Sequence, residues 1–451
     1  MIDLFNKFEK ENKKILENDE IWPFMRLKFY YTLLENISKT KHSSRNINTK
    51  LGYIFGLFYG FTNLFKKFEY YFFSDTSQRK ILNGKYFDKL TDPIIDQLGK
   101  DKCLQFELPS PNFYKVKQVA TKHVISQTGV EILSFLIAKI YIKFNKNKID
   151  LYEKINIDFH LNIDYKFHLF FFKVRYKLFT LFFKLKRPKA IFIVCYYDKA
   201  YIVKAAKDLN IKVIELQHGV IGKVHPAYYS YIDIDKSFVA DYLLSFGEYE
   251  KKMQKYNGVY NSQQVFPIGH FYIEYLVKNF KPSLNLLEKC SKFKIIIGVT
   301  LQDSMIDRLL DIVELIAIRN PSVLFIIIPR EDMLKYRNEN ISNILLDNSL
   351  DCYQKVLHCD FHMTVYSSCA IEAPSLGIKN ILFNIDNFSV NYFAEILNQE
   401  NTEIINTVEE LENYLNKYRE YDKNYIINSN ANLIKVKYIE NIKTFIKSEV
   451  R

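Results

Sequence analysis

The sequence lacks the features that identify several large protein classes. Among its 451 residues there is one Trp, and there are only six Cys. The cysteines are Cys103, Cys195, Cys290, Cys352, Cys359 and Cys369. None of them forms a Cys-x-x-Cys pair, and several fall in apolar runs. This pattern argues against a disulfide framework or a structural zinc site and fits buried thiols in a reducing cytosol.

No segment predicts export or insertion into a membrane. Residues 1–20 are charged throughout, unlike a secretory signal. No apolar run reaches the roughly 20 residues that a spanning helix needs. The nearest, 51–65, is interrupted by Gly, Thr and Asn. We therefore predict a cytoplasmic protein.

Several nucleotide-binding and hydrolase motifs are also missing. The chain contains no G-x-x-x-x-G-K-[ST], no complete G-x-G-x-x-G and no G-x-S-x-G. A P-loop NTPase, a nicotinamide enzyme with the standard fingerprint and a serine hydrolase are therefore disfavoured.

Positive charge is in excess, with a formal net charge of +12. Nucleic acid, anionic lipid headgroups and a phosphorylated substrate are candidate partners. The charge is densest beside aromatic residues, in 51–67 and 167–187. Such stretches are typical of a peripheral membrane surface, although a core helix with a solvated basic edge has the same pattern.

The chain is long enough for two domains, and 48% of its residues are hydrophobic. Residues 1–185 favour helices, with one strand at 103–108. From residue 190 onward, short apolar runs alternate with helical lengths. In the first half these predicted strands are 190–196, 212–216, 242–246 and 265–268. Such runs are typical of parallel strands buried on both faces.

The second half repeats this scheme, with predicted strands at 294–299, 323–328, 344–346, 361–365 and 380–383. The alternation predicts two Rossmann-like α/β domains facing each other across a cleft, with a helical N-terminal elaboration. We expect an N-terminal acceptor-binding domain over 1–280, a C-terminal nucleotide-donor domain over 286–430 and a last helix over 431–451. Residues 281–283 are the predicted linker.

Ligands of open parallel sheets bind beyond the carboxyl ends of the strands. Gln217, His218 and Gly219 directly follow the predicted strand 212–216, and the glycine would permit a tight turn. A histidine of near-neutral pKa is suited to deprotonate a hydroxyl. We therefore predict His218 as a general base; the alternative is a histidine that only bonds the backbone.

Ser367 and Ser368 follow the predicted strand 361–365, and Glu372 lies one turn into the next helix. Amides at a helix start favour phosphate oxygens, and a carboxylate accepts hydrogen bonds from ribose hydroxyls. The pattern predicts donor binding, with an ordinary serine cap as the alternative.

Other strand ends carry further candidates. Gly269 and His270 end the first half, where His270 would contact donor phosphate or cap the hinge. Arg330 follows strand 323–328 and could bind phosphate or form a surface ion pair. Asp198 is a reserve base, and His225 would shape the acceptor site.

Asp233 and Asp235 form an Asp-x-Asp that is too short to be specific for a metal–diphosphate. We therefore predict no metal and no cofactor, with the sugar nucleotide acting as substrate.

These residues resemble those of bacterial capsule and surface-polymer transferases over about 190–383. This group includes GT-B glycosyltransferases of capsule and lipopolysaccharide synthesis and, more distantly, CDP-glycerol glycerophosphotransferases. The latter have a His-Gly turn with the proposed base, a Gly-His that closes the first domain, and Ser-Ser followed by Glu. His218–Gly219, Gly269–His270, and Ser367, Ser368 and Glu372 match these places.

The chain departs from the resemblance at two points. The Lys-Pro-His of the donor domain is Ile328, Pro329 and Arg330 here, and the Trp before His-Gly is Gln217. These differences favour glycosyl transfer over phosphopolyol transfer.

The resemblance implies a metal-independent GT-B glycosyltransferase that uses an NDP-sugar or CMP-sugar. The acceptor would be a saccharide or lipid-linked saccharide, at the inner face of the cell membrane and without nucleic acid. The alternatives are a CDP-glycerol or CDP-ribitol phosphopolyol transferase, a non-hydrolysing sugar-nucleotide epimerase, and a non-enzymatic basic protein that binds RNA or membranes.

Overall fold

The computed structural model describes residues 2–38, 47–110, 112–144, 149–223, 225–302, 305–329, 341–347, 349–393, 396 and 398–450. The chain forms two compact units. The first unit consists of Met1–Ser245, Glu250–Pro267 and Ile439–Arg451. The second consists of Phe246–Tyr249 and Ile268–Tyr438. The predicted linker 281–283 therefore lies inside the second unit, and the chain leaves the first unit near residue 267.

Nine strands are present among the described residues of the first unit. They are β1 (Tyr70–Asp75), β2 (Arg79–Leu82), β3 (Lys85–Asp88), β4 (Cys103–Leu108), β5 (Val124–Ser126), β6 (Ala190–Val194), β7 (Lys212–Leu216), β8 (Tyr242–Ser245) and β9 (Val265–Pro267). Seven of these form one sheet in the order β5-β4-β1-β6-β7-β8-β9, while β2 and β3 form a separate antiparallel hairpin. Every pairing in the seven-stranded sheet is parallel.

The second unit is built on a sheet of six parallel strands. They are β10 (Ile295–Thr300), β11 (Val323–Ile328), β12 (Ile344–Leu346), β13 (Phe361–Thr364), β14 (Lys379–Phe383) and β15 (Thr402–Ile405). Their order is β12-β11-β10-β13-β14-β15. Strands β10 and β11 are buried along their whole length because helices cover both faces of a parallel sheet.

Nineteen α-helices are present in the part of the chain that the structure describes. They are α1 (Ile2–Glu11), α2 (Lys13–Leu16), α3 (Trp22–Ser38), α4 (Ile47–Phe55), α5 (Asp92–Leu98), α6 (Thr128–Phe144), α7 (Asp150–Asp158), α8 (Tyr165–Lys186), α9 (Ala200–Lys207), α10 (Glu248–Met253), α11 (Phe271–Asn279), α12 (Leu284–Cys290), α13 (Ile306–Arg319), α14 (Cys352–Val356), α15 (Cys369–Glu372), α16 (Phe388–Phe393), α17 (Val408–Asn416), α18 (Lys423–Ser429) and α19 (Tyr438–Phe445). Among the described residues, no helix is long and apolar enough to cross a membrane.

The core of the second unit shows why these sequences form helices and strands. Leu309 and Val313 of α13 lie one turn apart and pack, with Leu411 of α17, on the sheet around Phe325. Spacings of three and four place such residues on one face of a helix, and continuous apolar runs form the strands that this face covers.

The predicted α/β class with two parallel sheets is confirmed. The prediction for 1–185 was incomplete, however. It identified β4 but missed β1, β5 and the β2–β3 hairpin. The first sheet therefore takes three strands from the region that we expected to be mainly helical.

Candidate active-site groups

The first group lies at the carboxyl end of the central strands of the first sheet. Strands β1, β6 and β7 are neighbours there. Asp75 is the last residue of β1, and Cys195 and His218 lie in the turns that follow β6 and β7. Parallel strands place their carboxyl ends at one edge, so the three residues share that edge.

His218 is half-buried in the turn after β7. The Cys195 Sγ lies 3.2 Å from its Nε2 and 3.5 Å from its Nδ1. The Tyr197 hydroxyl is 3.5 Å from the same Nε2. The imidazole is therefore held by side chains of the neighbouring strand's turn and keeps part of its surface exposed.

Enclosure by protein lowers the pKa of His218 to about 4. Lys199 lowers this pKa further, whereas Asp75 raises it. The ring is consequently neutral at physiological pH, and a neutral imidazole can accept a proton.

Cys195 has a left-handed backbone, with φ of 58°. This conformation is uncommon for a residue other than Gly, Asn or Asp, and it turns the chain sharply between β6 and α9. The predicted strand ran to residue 196, but β6 ends at Val194. Cys195 and the following tyrosines thus belong to the turn, where the thiol meets His218.

Gln217 fixes the turn that carries His218. Its buried Nε2 donates to the Gly219 carbonyl at 2.9 Å and to Glu250 Oε1 at 2.8 Å. We expected the conformational freedom of glycine to be needed for a tight turn at Gly219, and this reason was wrong. Its φ is not in the left-handed region, and a Cβ at this position would meet no atom within 4 Å. The turn does not require glycine, and open space lies beside His218.

His225 and Asp198 lie near the same turn. The His225 ring is 5.5 Å from that of Tyr197 and 5.0 Å from that of Tyr228, and burial lowers its pKa to about 3. Its Nδ1 accepts the Ala227 amide at 3.3 Å. Asp198 is exposed, and its backbone amide donates to the Cys195 carbonyl.

A buried carboxyl group supports this edge from inside the sheet. Glu215 Oε1 accepts hydrogen bonds from the Tyr228 hydroxyl at 2.8 Å and the Tyr196 amide at 3.2 Å. Its Oε2 accepts the Tyr260 hydroxyl at 2.6 Å. Burial raises the pKa of Glu215 to about 7. Glu215 therefore ties the turn after β6 to the chain that follows β7.

The second group follows β13 in the second unit. The Ser367 Oγ accepts the Cys369 amide at 3.3 Å, and the Ser367 and Ser368 carbonyls accept the first amides of the helix. Ser368 is half-buried, and its side chain makes no capping hydrogen bond. The helix α15 has four residues and continues into a 3-10 turn, Ala373–Leu376. Its dipole is therefore smaller than we expected from the predicted eight-residue helix.

Glu372 is buried, and the Tyr353 hydroxyl donates to its Oε1 at 2.9 Å. Tyr353 comes from α14, so this bond joins the helix after the serines to the neighbouring helix. The predicted ribose-binding carboxylate is thus held in place from the protein side.

Gly269 and His270 each have a structural role in the second unit. Gly269 has φ of 93°, and a Cβ there would lie 2.1 Å from the Lys435 carbonyl oxygen, so only glycine fits. His270 is buried and caps α11, its Nδ1 accepting the Ile273 amide at 3.3 Å. The contact is with the amino end of α11, and the two predicted roles of His270, at the donor phosphate or at the hinge, stay predictions.

Two sequence candidates remain. Arg330 lies outside the described residues. Asp235 caps a short 3-10 turn by accepting the Ser237 amide at 2.8 Å, so this carboxylate has a local structural role. Within the described residues, no group of three or more His, Cys, Asp or Glu side chains could hold a metal ion.

Sequence reasoning missed Asp75, Cys195, Tyr197 and Tyr353. Asp75 was missed because β1 was not recognised, although its run Tyr70–Asp75 is apolar and aromatic. Cys195 and Tyr197 were missed because the strand was extended too far. No sequence signal connects Tyr353 with Glu372, because their contact depends on the packing of α14.

The sequence matches no protein-family model and no curated protein. Solved structures are similar in fold. A UDP-N-acetylglucosamine 2-epimerase has a TM-score of 0.51 at 12% identity, over 86% of this chain and 97% of its own. The S. aureus protein MnaA, solved with UDP, has a TM-score of 0.52 at 11% identity, over 85% and 96%. The UDP-GlcNAc 2-epimerase of Methanocaldococcus jannaschii has a TM-score of 0.50 at 12% identity, over 84% and 99%. The chain therefore has the GT-B fold.

Proposed function

We propose that the protein transfers a glycosyl unit from a nucleotide-activated sugar to a hydroxyl group of a saccharide acceptor. The observation that supports this most is the neutral, partly exposed imidazole of His218 at the carboxyl end of β7. In open parallel sheets this is where ligands bind, and a neutral imidazole can take the proton of an attacking hydroxyl.

The acceptor reacts at the first unit. Its hydroxyl oxygen attacks the anomeric carbon of the donor, and the new carbon–oxygen bond forms as the bond to the donor phosphate breaks. The electron pair leaves with the nucleotide, and the proton passes to a ring nitrogen of His218. Direct attack inverts the anomeric configuration. Asp198, which is exposed near the same turn, is a reserve base.

The donor binds to the second unit. Ser368, with no capping bond of its own, hydrogen-bonds a phosphate oxygen, and Ser367 shapes the turn. Glu372 accepts hydrogen bonds from the ribose, and Tyr353 holds it for that purpose. Amides and hydroxyl groups stabilise the developing phosphate charge, so the reaction proceeds without a metal.

Similar folds support a sugar nucleotide as the substrate. Two of the similar structures are named UDP-N-acetylglucosamine 2-epimerases, and a third contains UDP. The resemblance to capsule and lipopolysaccharide enzymes suggests the setting of bacterial surface polysaccharide synthesis, with a saccharide or lipid-linked saccharide as acceptor.

A second candidate function is epimerisation of the sugar nucleotide itself. It is favoured by the fold similarity to epimerases over more than four-fifths of this chain. The two functions differ in one respect that can be measured, because an epimerase changes its donor when no acceptor is present.

The test is a donor panel. The protein is incubated with CMP-, UDP-, GDP- and dTDP-sugars and with CDP-glycerol and CDP-ribitol, with and without a mixture of oligosaccharide acceptors. Products are separated by chromatography and identified by mass spectrometry. We expect one class of sugar nucleotide to be consumed, its sugar to appear on an acceptor, and the loss of donor to depend on that acceptor.

Ser368 in the proposed donor site can be tested by substitution with alanine. We expect Ser368→Ala to raise KM for the donor about tenfold, which corresponds to one lost hydrogen bond to a charged group. Ser322→Ala is the control, since Ser322 is exposed just before the amino end of β11 in the same unit.

In the donor panel, consumption of CDP-glycerol or CDP-ribitol alone would identify a phosphopolyol transferase. An isomeric sugar nucleotide formed without acceptor would identify an epimerase. Either result would overturn the proposal.

A further inference from the structure

Two neighbouring elements of the first unit have the reverse of the usual amphipathic arrangement. A helix on the surface of a water-soluble domain buries its apolar face and exposes its polar one. Segment 54–65 and helix α6 instead turn mainly small and polar residues inward and most of their large apolar residues outward.

In segment 54–65 the inward contacts belong to Gly56, Gly60, Asn63 and one aromatic residue, Tyr59, whose ring stacks on Phe113 with centroids 4.6 Å apart. A Cβ on Gly56 would collide with the Phe113 ring, and one on Gly60 would collide with the Val124 carbonyl. The Asn63 Nδ2 donates to that carbonyl at 3.0 Å. Two glycines, one asparagine and one tyrosine therefore fix the segment closely against the protein, and its phenylalanines take no part in these contacts.

The outward contacts of the same segment are phenylalanines. Phe55 is 74% exposed, Phe58 is 81% exposed and Phe65 is 77% exposed. Phe61 joins two of them into one ridge, with ring centroids 6.5 Å from Phe58 and 5.5 Å from Phe65. Exposed apolar groups that are contiguous in this way mark an interaction surface.

Helix α6 has the same inverted pattern. The buried residues among its 17 are Thr128, Ser134 and Ala138. Its exposed large residues are Leu133, Phe135, Leu136, Ile140, Tyr141 and Phe144. Thr128 also lies against Gly56, so α6 and the phenylalanine ridge are adjacent. We call the two together the apolar face.

The exposed charges of the apolar face have one sign. Its one acidic residue among those described is Glu131 in the first turn of α6, and this side chain is largely buried and paired with Arg175. Residues 47–67 and 132–144 contain no Asp and no Glu. The exposed lysines on these elements are Lys50, Lys66, Lys67, Lys139 and Lys143. Such a face is complementary to a surface that is apolar below and negatively charged above. A second copy of the chain placed symmetrically on the face would bring lysines against lysines.

We propose that the apolar face binds the surface of an anionic lipid bilayer, with the phenylalanine ridge inserted among the acyl chains and the lysines at the headgroups. The protein then lies on the membrane, since none of the described helices could span it. This inference goes beyond the proposed function and depends on different residues, so either can fail alone.

Sedimentation with vesicles tests the proposal. The full chain is mixed with vesicles of phosphatidylcholine alone and with vesicles of phosphatidylcholine and phosphatidylglycerol in equal parts. We expect it to sediment with the anionic vesicles, to stay in solution with the neutral ones, and to be released by salt because the lysine contribution is screened.

Variants distinguish the apolar and charged contributions. We expect Phe58→Ser/Phe65→Ser to weaken binding at least about tenfold, because two buried rings are lost. Its control is Leu284→Ser/Ile318→Ser, whose side chains are 83% and 67% exposed in the second unit.

We expect Lys66→Ser/Lys67→Ser to weaken binding about tenfold or more, because each lysine contributes roughly one kcal/mol at an anionic surface. Its control is Lys292→Ser/Lys294→Ser, exposed in the second unit.

The binding of folded variants decides whether the apolar face contacts lipid. All four side chains of the apolar and control pairs are exposed, so the variants should fold, and circular dichroism with thermal unfolding verifies this. Wild type that does not sediment with anionic vesicles, or a folded Phe58→Ser/Phe65→Ser variant that binds like wild type, would overturn the proposal. If wild type instead forms a dimer by light scattering and does not bind vesicles, and the Phe58→Ser/Phe65→Ser variant is monomeric, the proposal is overturned and the face is assigned to self-association.

Discussion

The imidazole of His218 shows how the neighbours of one residue decide its chemistry. A histidine in water has a pKa near 6.5 and is partly charged at neutral pH. Here enclosure lowers the pKa to about 4, and the contacts to Cys195 and Tyr197 hold the ring. The cost of this neutrality is a weaker base, and the gain is that nearly every molecule carries the base in its active form at pH 7.

Glu215 gives a prediction about stability at the residue scale. Burial raises its folded pKa from an ordinary value of 4.5 to about 7. A raised folded pKa contributes stability that is fully present below pH 4.5 and is lost as pH rises through 7. We expect this one group to cost roughly 3 kcal/mol of unfolding free energy between pH 4 and pH 8.

The measurement compares wild type with Glu215→Gln, which stays uncharged at every pH. Unfolding free energies from urea titrations at pH 5, 6, 7 and 8 should show the variant gaining on wild type as pH rises. Other titrating groups are common to both proteins and cancel in the difference. A difference that is constant across this range would show that Glu215 is ionised throughout.

At the scale of the element, the turn after β7 combines a fixed backbone with open space. Gln217 holds its geometry through two hydrogen bonds, and Gly219 leaves room that no side chain fills. We expect Gly219→Ala to leave the unfolding midpoint unchanged, because the backbone is ordinary and a Cβ meets nothing. We expect kcat/KM to fall about tenfold, because a methyl group then stands where the acceptor approaches.

Gly129→Ala is the matched control, because Gly129 also has an ordinary φ and an open Cβ position. Both variants should unfold like wild type, and only Gly219→Ala should lose activity. Normal activity in a folded Gly219→Ala protein would show that the space beside His218 is not used by the substrate.

The elements also show how far the sequence could be interpreted. Strands β7, β11 and β12 were predicted with the bounds that the structure has, because each is a short apolar run that ends in a turn. Strand β1 was missed because Tyr70–Asp75 lies among other aromatic residues of a helical region. Its recognition needs the pairing with β4 and β6, which is a contact between distant parts of the chain.

The candidate site was predictable to a similar degree. Residues that directly follow a strand, such as His218 and Ser368, could be chosen because parallel sheets bind ligands at that edge. Their partners could not. The contact of Cys195 with His218 depends on a left-handed backbone at one residue, and that of Tyr353 with Glu372 on the packing of two helices.

At the scale of the whole molecule, the two units carry different candidate groups. The first unit carries the apolar face with its lysines, together with His218 and the seven-stranded sheet. The second carries Ser367 and Ser368 after strand β13 of a six-stranded sheet. In the proposed function the first unit takes the acceptor and the second the donor. A membrane contact on the acceptor side would suit an acceptor that is linked to a lipid.

The central claim is that His218 is the base of a glycosyl transfer. It is tested most directly by kcat/KM of wild type, His218→Asn and His160→Asn with the donor that the panel identifies. His160 is the matched control because it is exposed and has φ of 51°, which asparagine adopts readily. We predict that His218→Asn loses about 100-fold or more at pH 7. His160→Asn should be unchanged, and wild-type kcat/KM should stay level down to about pH 5 and fall below it. A folded His218→Asn protein with near-normal turnover would contradict the account.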